Sequence, residues 1–201
     1  MQAHLATEQY LTTLVSSDTA RHPLHQQKPF TFTAIREGIY SESFPMYTAF
    51  FDLKDPVDEV QIPYGGAGTG ITWAKIDELG EASAQIVKEY MAAPATFSYT
   101  NQVMLLSGPK VWTLADTVKL LGKMAGKSIT LKEVTIEEYV AQPLVRHNLS
   151  AHGPGDVARD WATAFEAVRR GETAVVTGEL ERLLGRVPEG FEETVTALAN
   201  K

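Results

Sequence analysis

Apolar positions along residues 3–15 recur at helical spacing. Leu11, Leu14 and Val15 fit that spacing, and His4 and Glu8 sit four apart on one face. The pattern predicts a helix starting almost at Met1, with no strand, cap or tail before it, as expected of a chain cut inside a domain. Ser16 to Pro29 is a polar loop carrying Pro23, Pro29, His22 and His25. Phe30 to Arg36 then alternates and is rich in β-formers, which predicts a strand ended by Gly38. Phe30, Phe32, Ala34 and Ile35 put apolar groups on both of its faces, so it is expected inside a parallel sheet. A short helix is expected around 43–51.

Val60-Gln61-Ile62 and Ile71-Thr72-Trp73 flank a glycine-rich stretch, Gly65 to Gly70, read as a hairpin loop. A helix over 77–91 follows, with Leu79, Ala82, Ile86, Val87 and Tyr90 spaced for burial. Val103 to Leu106 is a continuous apolar run before Ser107-Gly108-Pro109, the signature of a buried strand. Thr113-Leu114-Ala115-Asp116 and Thr135-Ile136-Glu137-Glu138 have capping-box spacing, and Ser128 to Val134 between them reads as a strand. Helices are expected at about 156–170, 179–184 and 189–199, the last with Pro188 near its first turn. The order is that of an α/β fold with a helical end, in one domain spanning 1–201.

The 201 residues carry 44% apolar and 21% charged side chains, ordinary for a globular domain with a real core. A net charge of −7 without a long basic run argues against nucleic acid as a partner. The count of cysteines is zero, which excludes disulfides, thiolate metal sites and a Cys nucleophile. No apolar run approaches a membrane span and the first residues do not form a signal peptide, so a cytoplasmic protein off the membrane is expected. His147 and His152 flank Asn148 to Ala151 near Asp156, but spacing fixes no third ligand, so no metal is expected and the stretch reads as a polar loop at a pocket mouth. No serine sits in G-x-S-x-G, and Trp73, Trp112 and Trp161 read as core anchors.

Four stretches, in order, resemble the NmrA-like atypical short-chain reductases, in particular their quinone-reductase and triphenylmethane-reductase branch. His4-Leu5-Ala6-Thr7-Glu8 is similar to its HxxTE helix. Thr33 to Ser43 is similar to T-x-L-R-x-G-x-Y-x-E-N, with Ser43 at the Asn. Val103 to Pro109 is similar to the family's L-T-G-P strand end, and Leu180 to Pro188 to LExLxGRxP. Arg36 to Tyr47 also resembles fungal members of the averufin-oxidase type, which serve aromatic-polyketide pathways.

The resemblance implies a partial Rossmann-like sheet with a C-terminal helical substrate lobe, lacking the N-terminal third that holds the dinucleotide. The family's Gly-rich turn opens a helix, whereas Gly65 to Gly70 lacks the G-x-G-x-x-G spacing and precedes a strand-like Ile71-Thr72-Trp73. NADPH is the implied cofactor, with weak or absent binding by this chain alone. The implied substrate is a small aromatic or quinone-like molecule. A sheet left unpaired at one edge is expected to associate with itself or with a partner that covers it.

The end of the strand before Gly38 is where open α/β sheets bind ligands. The resemblance puts Glu37, Gly38 and Ile39 beside the cofactor and Arg36, Tyr40, Tyr47 and His147 on the substrate side. Tyr40 offers a phenol as donor or weak acid. His4 is the second catalytic candidate, as half of an acid–base pair with Glu8, and a solvated surface pair is the other reading. Arg36 is equally readable as a structural ion-pair partner. Besides the reductase, a cofactor-free isomerase or cyclase and a non-enzymatic regulatory binding protein fit a chain without a cofactor fingerprint.

Overall fold

The computed structural model describes residues 2–16, 30–150 and 155–200, so the expected loop at 16–29 and His152 lie largely or wholly outside the described residues. The first helix, α1, is Gln2–Ser16. The strand expected at 30–36 is β1, Thr33–Glu37, and it continues past Gly38 into β2, Ile39–Tyr40. A 3-10 turn at Ser41–Ser43 leads into α2, Phe44–Tyr47, shorter than the helix expected at 43–51. Thereafter come β3 (Glu59–Ile62), β4 (Gly70–Ile71), β5 (Trp73–Ala74), α3 (Ile76–Ala92), β6 (Gln102–Leu106), β7 (Trp112–Thr113), α4 (Leu114–Met124) and β8 (Thr130–Glu133). The helical end comprises α5 (Ile136–Ala141), α6 (Pro143–Ser150), α7 (Val157–Arg169), α8 (Glu179–Leu184) and α9 (Phe191–Ala199).

The strands pair as short ladders: β1 with β6, β2 with β5 and β3 with β8 in parallel, β4 with β7 antiparallel. Two expectations are corrected. The glycine-rich segment does not close a hairpin, because β3 and β4 turn to different partners, β8 and β7. Nor, among the described residues, does β1 lie inside a sheet. It bonds to β6 on one side, no described strand pairs with its other edge, and Ile35 is 36% exposed beside Met104 at 3%. The burial expected in α3 and β6 is found only in part. Leu79, Ala82, Ile86, Met104 and Leu106 are buried, while Val87, Tyr90 and Val103 face outward.

Two cores result. The larger gathers Tyr47, Trp73, Tyr139, Phe165 and Phe191 around the parallel strands and the terminal helices, with the Trp73 and Phe191 rings stacked at 5.0 Å. The smaller joins Met104 and Leu106 of β6 to Leu79, Ala82 and Ile86 of α3 and Leu180 and Leu183 of α8. The LExLxGRxP segment is a structural clasp. Leu180 and Leu183 fill the smaller core, Gly185 ends α8 in the left-handed region (φ 67°), and Arg186 bonds Glu78 and Glu81 of α3. The caps behave as read: Thr113 accepts from the Asp116 amide, and Thr135 with Glu138 closes a full capping box.

Candidate site at the end of the parallel strands

The site is built where β1 gives way to β2. Gly38 donates its amide to the Leu106 carbonyl at 2.7 Å, and a Cβ there would stand 2.9 Å from that oxygen and 3.3 Å from the Ala74 Cβ. Only a residue without a side chain lets this strand pass so close to β5 and β6. The crossing carries Tyr40 past the strand ends, 38% exposed, where its hydroxyl donates to Glu37 Oε2 at 2.7 Å. That hydrogen bond, with partial burial, raises the Tyr40 pKa and keeps the phenol protonated.

The 3-10 turn after Tyr40 is pinned from both sides. Ser43, at the position of the family's Asn, donates its hydroxyl to the Tyr40 carbonyl at 2.7 Å. The Glu42 carboxylate accepts from the Ile76 amide at the N-terminus of α3, where a negative charge meets the positive end of the helix. Ser41, between Tyr40 and Glu42, is fully buried, and its Oγ has no hydrogen-bond partner among the described residues.

Arg36 faces α1. Its Nε and Nη2 donate to Glu8 Oε1 and Oε2 at 2.8 and 2.7 Å, and the hydrogen bond lowers the Glu8 pKa while raising that of Arg36. The HxxTE glutamate is thereby tied to the T-x-L-R arginine, and His4 sits exposed one turn earlier, a lesser influence on Glu8. Tyr47 is not at this surface. Its ring packs edge-on against Trp73 and Trp161 in the larger core, and burial pushes its hydroxyl up to about 12. His147, expected in a loop, lies on the exposed side of α6. Of the candidates, Glu37, Gly38, Ile39 and Tyr40 form one constellation. The Glu37–Tyr40 bond was findable from their spacing past a strand end, whereas the Arg36–Glu8 pair joins residues 28 apart and left no local signal.

A dinucleotide needs amides aimed at its pyrophosphate. The glycine-rich stretch before α4 does not fit that need. Gly66 and Gly68 take positive φ, but the Gly66 carbonyl accepts the Ala115 amide at 3.2 Å, and Thr113 holds the Asp116 amide, so the first turn of α4 is served by the protein itself. Gly66 is also closed in by Leu131, 2.9 Å from where a Cβ would stand. Among the described residues, no cluster of three or more His, Asp or Glu could hold a metal, and no helix is long and apolar enough to cross a membrane.

No family model matches the chain. It is 25% identical over 192 residues to an NmrA-like family domain-containing oxidoreductase of Aspergillus flavus, an alignment covering 93% of this chain and 52% of that protein. Its fold is that of the NADPH-dependent quinone oxidoreductase QOR2 of Escherichia coli, with a TM-score of 0.58 at 23% identity over 80% of this chain and 52% of that one. The Citrobacter sp. triphenylmethane reductase complexed with NADP(H) gives 0.58 at 19% identity, covering 84% and 53%. A nucleoside-diphosphate-sugar epimerase of Staphylococcus aureus gives 0.63 at 16% identity, covering 83% and 52%. The chain thus spans about half the length of the proteins it matches.

Proposed function

With sequence and fold both aligning the chain with the NmrA-like reductases, we propose that it forms the substrate-side portion of an oxidoreductase acting on an aromatic or quinone-like molecule in fungal polyketide metabolism. The observation that carries the reading is Tyr40, presented beyond the ends of the parallel strands with its phenol held by Glu37. A substrate carbonyl or phenolate oxygen replaces Glu37 as acceptor of the Tyr40 proton, and the freed carboxylate accepts from a hydroxyl elsewhere on the ring. NADPH, the cofactor of such reductases, would supply hydride. Since the glycine-rich stretch before α4 makes no pyrophosphate cradle, the reading draws the main binding elements from outside it.

The open edge of β1 belongs to the same reading. In this proposal a strand from a second polypeptide, or from another copy of this chain, covers it.

The experiment pairs calorimetry with turnover. The isolated chain is expected to show no tight NADPH binding, and stoichiometric tight binding would overturn the assignment of the cofactor contacts. In a preparation that reduces a quinone, Tyr40→Phe is expected to lower kcat/KM by about three- to tenfold, the value of one neutral hydrogen bond. Unchanged kcat/KM would remove Tyr40 from the site.

A further inference from the structure

The β1–β6 ladder is covered along one edge and bare along the other. In a strand, alternate residues turn their backbone groups to opposite sides. The Gly38 amide bonds the Leu106 carbonyl, so Ala34 and Arg36 face β6 while Thr33, Ile35 and Glu37 face away from it. Among the described residues, the outward amides and carbonyls of Thr33, Ile35 and Glu37 have no hydrogen-bond partner. The far edge of β6 is treated differently. There the outward Leu105 carbonyl accepts the Thr177 hydroxyl, and Ser107 Oγ accepts the Thr177 amide at 2.8 Å.

Proteins guard an edge that stays in solvent with lysine, proline or a bulge. β1 reads Thr-Ala-Ile-Arg-Glu and carries none of these. Its basic residue, Arg36, alternates to the face opposite Ile35 and is engaged by Glu8 of α1. Ile35, at the middle of the strand, is exposed.

The bare edge is complementary to itself. Two copies of β1 set antiparallel about a twofold axis at Ile35 bring Ile35 opposite Ile35 and Thr33 opposite Glu37. Each of these positions has its backbone groups turned outward, so every opposed pair is of the hydrogen-bonded kind. The apolar side chains meet at the centre, and a neutral hydroxyl, not a second carboxylate, faces Glu37 at each end. A surface that matches itself under a twofold is what an isologous dimer requires.

We propose that β1 pairs antiparallel with β1 of a second copy about an axis at Ile35, and that this dimer sets the partner's Thr33 beside Glu37, the carboxylate that holds Tyr40. Each Tyr40–Glu37 pair then has one wall supplied by the other copy. The inference does not rest on the reductase reading.

The chain has no cysteine, so introduced thiols report the pairing directly. Ile35→Cys is expected to oxidise to a disulfide-linked dimer, since Cα atoms so opposed lie about 5.5 Å apart, within disulfide reach. Val87→Cys, on the exposed side of α3, is the control and is expected to link about tenfold less. Register is read from a mixture of Thr33→Cys and Glu37→Cys chains. The mixture is expected to link, whereas either variant alone, with its thiols roughly 14 Å apart along the strands, is not. Ile35→Pro removes an outward amide that β6 does not use, and it is expected to sediment as a monomer where the parent dimerises. Should Ile35→Pro misfold, the cysteine pairs still decide. Linking of Thr33→Cys or Glu37→Cys alone as readily as the mixture, Ile35→Cys linking no better than Val87→Cys, or a parent monomeric at all concentrations would overturn the proposal and leave the edge to a strand of a different polypeptide.

Discussion

Arg36 on β1 and Glu8 on α1 meet in a two-pronged pair, with both donor–acceptor distances below 3 Å. The arrangement fixes the helix to the strand whose far edge is open, and it uses both Glu8 oxygens. Arg36→Ala is expected to cost roughly 1 kcal/mol, a modest value because the guanidinium is about one-third exposed and water screens the pair. The pH dependence has a definite sign. The folded-state pKa of Glu8 lies below its ordinary 4.5, so the pair's contribution is complete above that value and is lost as pH falls through the lower, folded one. Urea melts of parent and Arg36→Ala should therefore differ at pH 7 and converge in acid. A gap that persists at low pH would show that Arg36 stabilises by packing.

Glu37 sets the ionisation of Tyr40. Its hydrogen bond is the first cause of the raised phenol pKa, so Glu37→Gln is expected to bring the Tyr40 ionisation back toward 10. Ultraviolet titration at the phenolate band, with Tyr40→Phe subtracted, reads the shift. The same Tyr40 curve in parent and Glu37→Gln would mean the carboxylate does not engage the phenol in solution.

Gly38→Ala forces a Cβ to 2.9 Å from the Leu106 carbonyl, and the neighbour in the way is backbone, which yields poorly. The expected loss is about 1–3 kcal/mol, as for other overpacked sites. Denaturant midpoints check it. An unaltered midpoint would show that β1 and β6 separate freely at this crossing.

The open edge of β1 predicts association. Ile35, 36% exposed beside unpaired backbone, is the point at which a covering strand gains most. Sedimentation of the parent chain is expected to show concentration-dependent self-association, and Ile35→Lys to reduce it. A parent that remains monomeric throughout a wide concentration range would leave the edge without a partner of its own kind.

Local structure was legible in the chain because its causes are local. The Thr135–Glu138 box, the Thr113 cap, the Gly185 stop and the 3.6-residue period of Leu79, Ala82 and Ile86 depend on neighbours within a turn or two. So did the strand before Gly38 and the projection of Tyr40 past its end. Pairing was not legible, because hydrogen bonds between strands join residues far apart. Nothing near Val60 or Ile71 says that β3 will choose β8 and β4 will choose β7, so two strands flanking glycines read as a hairpin. Burial failed for the same reason. Phe30 to Ile35 has the composition of an inner strand, yet whether an apolar side chain is covered depends on what lies beside it, and among the described residues β1 has a strand neighbour on one side only. The resemblance set Tyr47 and Arg36 alike on the substrate side. The tertiary structure separated them, setting one ring among Trp73 and Trp161 and closing the other side chain on Glu8. Sequence by itself determined which segments are helix, strand and cap. The tertiary structure alone decided which edge stays open and which side chains reach the site, because both follow from contacts between segments distant along the chain.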